Sequence, residues 1–167
     1  MDAADELVTI VDKENNEVGV VPRKKMRSGR LRHRATYILV FNAKGELLVQ
    51  KRTQTKDVFP GYYEVAAGGV VLAGENYEEG AVRELEEELG IRERPLTKLF
   101  DFYYEDDKIR LWGRAFSCEY DGELVLQKEE VESGEFMGVD EVFKLASTEM
   151  FTPDCLYVFQ RYLELQG

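Results

Sequence analysis

The sequence predicts one α/β domain in which strands alternate with two or three helices. Its 167 residues are about the size of one domain with a single core. Short β-prone runs separated by turn residues recur along the chain, which indicates a sheet. Apolar residues at helical spacing occur in the middle of the chain and again at its end. We find no repeat or linker, so residues 1–167 are treated as one unit.

The strands of the first half are predicted as two hairpins. Residues 7–11 and 18–21 flank a turn-rich stretch, and residues 36–41 and 46–51 flank a turn that contains Asn and Gly. Between the hairpins, residues 23–34 carry seven cations and no acid. Residues 1–34 therefore comprise an N-terminal hairpin and a basic connector. The connector is either solvated or faces an anionic ligand, and the pattern leaves both interpretations open.

The second half is predicted to hold the main helices. Residues 62–71 indicate a strand broken at Gly68-Gly69, and residues 77–89 indicate a helix that Gly90 ends. A last helix begins after Thr152, which is predicted as its N-cap. The remaining predicted strands are residues 100–104, 109–120, 123–127 and 135–139.

Composition excludes several classes of protein. Lys and Arg number 22 against 33 Asp and Glu, a net charge of −11, which disfavours binding to a nucleic-acid polymer. No apolar run approaches the ~20 residues of a membrane helix. Acidic residues precede any apolar run at the N-terminus, the reverse of a secretory signal, so we expect a cytoplasmic protein without a membrane partner. Cys118 and Cys155 are expected to be reduced, small core residues.

Glutamates crowd one face of the helix at residues 77–89. At about 100° per residue, Glu84, Glu87 and Glu88 converge beside an apolar stripe. Like charges at this spacing destabilise a helix unless a counter-ion neutralises them, and Mg²⁺ or Mn²⁺ prefers oxygen ligands. An acidic, solvated helix is the alternative. The apolar stripe comprises Ala81, Val82, Leu85 and Leu89.

Residues 69–91 follow a more specific pattern. A glycine, an isolated glutamate, an Arg-Glu pair, an aliphatic residue, paired glutamates, a glycine and a closing aliphatic residue occur at fixed spacing. The run resembles the complete Nudix box, and the chain resembles the Nudix hydrolase family from about residue 7 to the last helix. The resemblance implies a Nudix-type α/β/α sandwich with a mixed sheet. The fixed positions are Gly69, Glu75, Arg83, Glu84, Leu85, Glu87, Glu88, Gly90 and Ile91.

The same resemblance implies roles for the box residues. The metal ligands for Mg²⁺ or Mn²⁺ are expected to be the carboxylates of Glu84, Glu87 and Glu88 and the carbonyl of Gly69. Arg83 and Glu75 resemble the pair that orients the box, since a guanidinium holds carboxylates by planar paired bonds. Members of the family are often dimers, so a homodimer is left open.

The implied reaction is attack of water on the diphosphate linkage of a small phosphorylated molecule. A glutamate accepts the proton, with Glu87 as the first candidate and Glu129 or Glu130 as the second. Glu129 and Glu130 fit a solvated surface equally well. Arg52, at the end of an apolar strand, is predicted to reach a phosphate, with an exposed strand-end cation as the alternative.

The segment before the box resembles the branch that contains isopentenyl diphosphate isomerase and uncharacterised bacterial Nudix relatives. The isomerase uses a cysteine and histidines where this chain has Ala67 and Gly69, and alanine cannot transfer a proton, so a hydrolase is favoured over an isomerase. A non-catalytic nucleotide sensor is a third class. His33, the sole histidine, is expected to be a structural hydrogen-bonding residue rather than a ligand.

Residues that select the substrate lie outside the box. A nucleoside diphosphate derivative is the class that the resemblance favours. Phe102, Tyr103, Tyr104 and Trp112 would stack on a base or form sheet core, and the second interpretation is favoured.

Overall fold

A computed structural model describes residues 2–167 and is centred on an eight-stranded mixed sheet. The strands are β1 (Leu7–Val11), β2 (Glu17–Pro22), β3 (Arg32–Phe41), β4 (Leu47–Arg52), β5 (Tyr63–Glu64), β6 (Thr97–Glu105), β7 (Arg110–Glu119) and β8 (Val131–Met137). The helices are α1 (Arg23–Ser28), α2 (Tyr77–Leu89), α3 (Val139–Ala146) and α4 (Pro153–Gln166), after a short 3-10 helix at Ala3–Asp5. Within residues 2–167, no helix is both long and apolar enough to cross a membrane.

Strand β3 organises the sheet because its two edges are used differently. One edge pairs in parallel with β7 over the full length of both strands, and β7 pairs with β6 in antiparallel fashion. The other edge meets β1 at His33 and β4 at Phe41. Between these points it pairs at Ala35 and Ile38 with the glycine-containing loop, which is the segment around Gly68 and Gly69. Strand β4 continues the sheet through β5 and β8. The loop that carries Gly69 therefore occupies a position between two strands.

Both faces of the sheet are covered by helices, which gives the expected α/β/α sandwich. Alternate β3 side chains serve the two faces: Ile38 and Val40 pack against α2, whereas Tyr37 and Leu39 pack towards α3 and α4. β3 is buried on both sides, so its central run is continuously apolar. The mixed sheet and its two helical layers confirm the predicted fold class.

Several predicted elements differ from those observed. Residues 23–34 are not a loop, because α1 begins at Arg23 and β3 begins at Arg32. The strand predicted at 62–71 is regular only at Tyr63–Glu64, since Gly68 has φ of +127° and interrupts it. α3 was not predicted.

The strand predicted at residues 123–127 is wrong. Leu124 and Leu126 are half-buried and Val125 is exposed, which is the alternation that suggested a strand. The backbone of this segment instead contacts the end of α2: the amide of Val125 donates to the carbonyl of Leu89 at 2.9 Å, and that of Gln127 to Glu88 at 2.9 Å. The segment thus satisfies terminal helix carbonyls rather than a neighbouring strand.

Candidate active site

The glycine-containing loop is fixed to β3 by backbone hydrogen bonds. The amide of Thr36 donates to the carbonyl of Gly69 at 2.9 Å, and the amide of Ile38 donates to Ala67 at 2.7 Å. A Cβ on Gly68 would lie 2.1 Å from the carbonyl oxygen of Thr36. Only glycine permits this approach and its positive φ, so the loop position is set by the backbone.

Helix α2 has the bounds predicted and is capped at both ends. Asn76 accepts from the amide of Glu79 at 2.8 Å, and Glu79 accepts from the amide of Asn76 at 3.0 Å, which is a capping box. Gly90 ends the helix in the left-handed conformation at φ of +69°. Ala81, Leu85 and Leu89 are buried as expected, but Val82 is 52% exposed and does not belong to the apolar stripe.

Arg83 connects the carboxylates of the box. Its guanidinium donates to Glu75 at 2.6 and 3.0 Å, to Glu84 at 2.8 Å and to Glu87 at 3.2 Å. It also donates to the carbonyl of Val70 at 3.3 Å. Glu75 in turn accepts from the amide of Leu72 at 2.9 Å. The contacts connect the loop to α2 and agree with the orienting pair expected of Arg83 and Glu75.

The three glutamates predicted as ligands differ in burial. Glu84 and Glu88 are buried, with 9% and 6% exposure, while Glu87 is exposed. Glu88 accepts from the amide of Gly68 at 3.0 Å. Burial, and then the neighbouring charge of Glu84, raises the pKa of Glu88 well above its usual range. Burial also raises the pKa of Glu84, although Arg83 opposes this. Two adjacent buried carboxylates lack a full counter-charge.

The residues present fit a divalent cation in two respects. Oxygen donors from Glu84 and Glu88 lie beside the loop, and a Cβ on Gly69 would come within 3.0 Å of a Glu84 carboxylate oxygen. The absence of a side chain at Gly69 therefore leaves room at the carboxylates, and the oxygen donor set suits Mg²⁺ or Mn²⁺. In the described part of the chain, no three acidic, histidine or cysteine side chains are already arranged to hold a metal.

A cleft of about 950 Å³ lies in front of these carboxylates. One wall is formed by Glu84, Glu87 and Glu88 with Gly68-Gly69. The facing residues include three cations from distant parts of the chain, Arg23 and Arg27 of α1 and Lys56 of the loop after β4. The basic segment at residues 23–34 is divided between the cleft lining and contacts elsewhere in the fold. Arg23 and Arg27 line the cleft. Arg34 does not line it, and its guanidinium donates to the side chain of Asn15 at 2.8 Å.

Glu129 and Glu130, the alternative proton acceptors, line the cleft, whereas Arg52, which was predicted to reach a phosphate, does not. Glu130 lines the cleft and forms an ion pair with Lys56. Glu129 also lines the cleft. Arg52 lines a smaller neighbouring cavity instead, where it donates to Glu64 at 3.1 Å and to the carbonyl of Val58 at 2.8 Å. Its guanidinium is thus largely engaged within the fold.

The histidine and the aromatic residues that the sequence singled out are mostly held by contacts within the sheet. The imidazole of His33 is buried, and Nδ1 lies 3.1 Å from the carbonyl of Leu31, as a donor would. Phe102 is buried in the core under α4, and Tyr103 packs on Trp112 with ring centroids 5.4 Å apart. His33 lines the smaller cavity, whereas the aromatic side chains of Phe102, Tyr103, Tyr104 and Trp112 line neither the cleft nor that cavity. The sheet-packing interpretation of the aromatic residues agrees with these positions.

The structure is thus a sandwich in which a capped acidic helix and a glycine-containing loop line a polar cleft. The sequence profile of the NUDIX domain matches residues 31–157. The chain belongs to the Nudix hydrolase family and is a pyrophosphohydrolase.

Individual relatives agree with this assignment. An uncharacterized Nudix hydrolase of Yersinia pestis is 46% identical over 95% of this chain and 86% of its own length. The uncharacterized Nudix hydrolase YfcD of Escherichia coli K12 is 46% identical over 92% and 84%. These matches confirm the expected bacterial Nudix relatives, while the relation to the isomerase stays a prediction.

Solved structures show the same fold at low identity. The crystal structure of DR0079 from Deinococcus radiodurans has a TM-score of 0.81 at 23% identity, covering 93% of this chain and 98% of that one. The NUDIX domain of Shewanella oneidensis NrtR, determined with ADP-ribose, has a TM-score of 0.67 at 14% identity, covering 81% and 89%.

Proposed function

We propose that this Nudix enzyme is a divalent-metal-dependent hydrolase that cleaves the diphosphate linkage of a nucleoside diphosphate derivative or a related organic pyrophosphate. The observation that carries the proposal is the cleft itself, in which the carboxylates of α2 face cations of α1. A diphosphate needs both walls: cations bind its outer oxygens, and carboxylates hold the metal that neutralises it. The free, buried Cys118 and Cys155 suit a cytoplasmic location.

Arg23, Arg27 and Lys56 are proposed to bind the phosphate groups. The Nε atom of Arg23 is buried without a hydrogen-bond partner among residues 2–167, and its Nη2 lies 3.6 Å from Glu6. A buried N–H without an acceptor is costly, so a phosphate oxygen would satisfy it. Arg27 is paired with Asp57 at 2.9 Å, which keeps its guanidinium at the cleft. Arg52 is proposed to support this wall through Glu64 rather than to contact phosphate first.

Glu84, Glu87 and Glu88, with the carbonyl of Gly69, would hold Mg²⁺ or Mn²⁺. A bound divalent ion lowers the pKa of water and neutralises charge on the phosphates. Arg83 and Glu75 keep the carboxylates oriented through the hydrogen bonds described above. Glu87 is the first candidate to accept the proton from water, because it is exposed to the cleft and contacts Arg83 only at 3.2 Å. Glu130 is the second candidate.

A metal-dependent screen tests the function. Nucleoside diphosphate sugars, dinucleoside polyphosphates and nucleoside triphosphates are incubated with enzyme and Mg²⁺ or Mn²⁺, and released phosphate or nucleotide is measured. We expect turnover of at least one class that is abolished by a chelator. Glu88→Gln should lower kcat by about 10²-fold or more, since it removes charge directed at the metal. The matched control is Glu86→Gln, since Glu86 is an exposed glutamate of the same helix that does not line the cleft. Absence of turnover with either metal would refute the proposal.

The proton acceptor is identified by comparing two variants. If Glu87 is the base, Glu87→Gln lowers kcat and removes the acidic limb of its pH profile, while Glu130→Gln changes KM more than kcat because only its pairing with Lys56 is lost. The reverse result would assign the role to Glu130.

A further inference from the structure

A second, smaller cavity of about 80 Å³ lies behind the glycine loop. It opens onto the cleft, since Gly68, Gly69, Arg23, Arg27 and Lys56 line both. Its inner end is formed by the start of α4 together with β3 and β5. A molecule with its phosphates in the cleft therefore has direct access to this cavity for its other end.

One acid in the small cavity is fully provided with donors. Glu64 accepts from Gln50 at 3.4 Å and from Arg52 at 3.1 Å, and the thiol of Cys155 lies 3.9 Å from it. Its side chain is 14% exposed. Both carboxylate oxygens of Glu64 thus accept a hydrogen bond within the fold, although burial still raises the pKa of this carboxyl.

The start of α4 is different, because two polar atoms there have no partner. Asp154 accepts from the hydroxyl of Tyr37 at 2.7 Å through Oδ2, while its Oδ1 is buried without a hydrogen-bond partner in the described residues. Thr152 is 2% exposed, and its Oγ1 has no oxygen or nitrogen partner there, with the thiol of Cys155 as its polar neighbour. Both residues line the cavity.

The free hydroxyl of Thr152 is unexpected from its position. Threonine at an N-cap normally accepts a hydrogen bond from the first turn, yet no such bond forms here although Thr152 occupies the N-cap. The helix therefore gains nothing from the hydroxyl. Burial raises the pKa of the Asp154 carboxyl, against opposing effects of the Tyr37 hydroxyl, the backbone amide of Asp154 itself and the charge of Arg52. Buried polar atoms of this kind are normally paired, so the two oxygens together indicate a missing donor.

The cavity admits only a compact group. A site of this size holds about two or three water molecules at roughly 30 Å³ each, and Asp154 and Thr152 make its lining polar at the α4 end. Apolar Ile109 and Leu111 complete the lining beside Asp154. A short chain that ends in a donor fits these dimensions and this chemistry.

We propose that this cavity is the specificity site for the organic end of the substrate, and that Asp154 and Thr152 bind a compact hydrogen-bond-donating group, a hydroxyl or an amine, carried by an organic diphosphate. The proposal rests on the proposed function, since the cleft must hold the phosphates. The cavity adds a requirement for the substrate itself, which should carry a hydrogen-bond donor at the end of a short organic group. A ligand hydroxyl would donate to Asp154 and accept from the hydroxyl of Thr152, whereas an amine would also supply positive charge to Asp154.

Binding of methylenediphosphonate esters tests the proposal without hydrolysis. Propyl, hydroxypropyl and aminopropyl esters are titrated calorimetrically into the full chain with saturating Mg²⁺. We expect the hydroxypropyl or aminopropyl ester to bind at least about tenfold more tightly than the propyl ester, because an unpaired buried acceptor becomes paired. Preference for the amine over the hydroxyl would identify a cationic substrate, and the opposite order a neutral one.

Substitutions locate the preference in the cavity. Thr152→Val and Asp154→Ala, which remove the side-chain hydroxyl and carboxylate, should each reduce the preference to about threefold or less, while Thr152→Ser, which keeps the hydroxyl, should retain it. Thermal unfolding verifies that each variant is folded, and inorganic diphosphate binding should stay unchanged. Equal affinity for the three esters in the wild type, including no measurable binding, overturns the proposal, as does a preference that survives both substitutions. Ester discrimination without any hydrolysis of natural diphosphates would refute the proposed function but retain this site.

Discussion

The buried histidine makes the stability of the fold depend on pH in a calculable way. Burial first, and then the charge of Arg27, lowers the pKa of His33 from 6.5 to about 3, against weaker opposing effects of Leu31 and Asp57. Arg23 also lowers it. The folded chain therefore keeps the imidazole neutral where the unfolded chain protonates it. The contribution of the neutral His33 imidazole to the free energy of unfolding is fully present above about pH 6.5 and is lost as the pH falls towards about 3.

The loss is about 1.4 kcal/mol for each pH unit, or about 2.7 kcal/mol near pH 4.5. Urea unfolding is followed by the fluorescence of the single tryptophan, Trp112, in the wild type and in His33→Asn, with chelator present. Asparagine keeps a donor near the Leu31 carbonyl but does not titrate. The difference in unfolding free energy between the two proteins should change by about 2–3 kcal/mol between pH 7 and 4.5 in favour of the variant.

Ile10→Val is the matched control, since Ile10 pairs with His33 in the sheet and its truncation costs about 1 kcal/mol without adding or removing a titrating group. Its pH dependence should parallel that of the wild type. Parallel curves for His33→Asn and the wild type would refute the reasoning.

Three further predictions concern the framework of the site. Gly68→Ala should destabilise the fold by about 3 kcal/mol or more, because its Cβ would meet the carbonyl of Thr36, and a melting temperature near that of the wild type would contradict this. Asn76→Ala should cost about 1 kcal/mol in urea unfolding through loss of the capping box, and no measurable cost would show that the cap is not needed. Leu85→Ala should cost about 2–5 kcal/mol, whereas Val82→Ala on the exposed face should stay within about 0.5 kcal/mol, and equal costs would be evidence against the observed burial.

Local signals in the sequence were sufficient for some elements. The bounds of α2 at Tyr77–Leu89 follow from the Leu85 and Leu89 spacing and the Gly90 stop, which act within one helix, while the Asn76 cap became evident only in the structure. Residues 123–127 could not be assigned in this way. Their alternation is real, but the partner is the end of α2, more than thirty residues earlier in the chain, and only the folded topology identifies it.

In the candidate site, too, the residues close in sequence could be predicted and those brought together by the fold could not. The acidic wall was predicted because the box places its residues at fixed intervals on a single helix. The cations of α1 and the free oxygens of Asp154 and Thr152 come from opposite ends of the chain, and no local pattern joins them to Gly69. The hydrogen bond from Arg52 to Glu64 could not be predicted either, because it depends on the pairing of β4 with β5.

The contact between residues 125–127 and the end of α2 has an implication for how the enzyme could acquire new preferences. Main-chain atoms make these bonds, and Leu124 and Leu126 pack against the core beside them, so the segment places the acids that follow at 129 and 130 at the cleft. Replacing its exposed side chains while the two leucines are kept would then alter the entrance of the cleft and leave the catalytic helix in place, which makes the segment a natural target for redirecting the enzyme to other diphosphates.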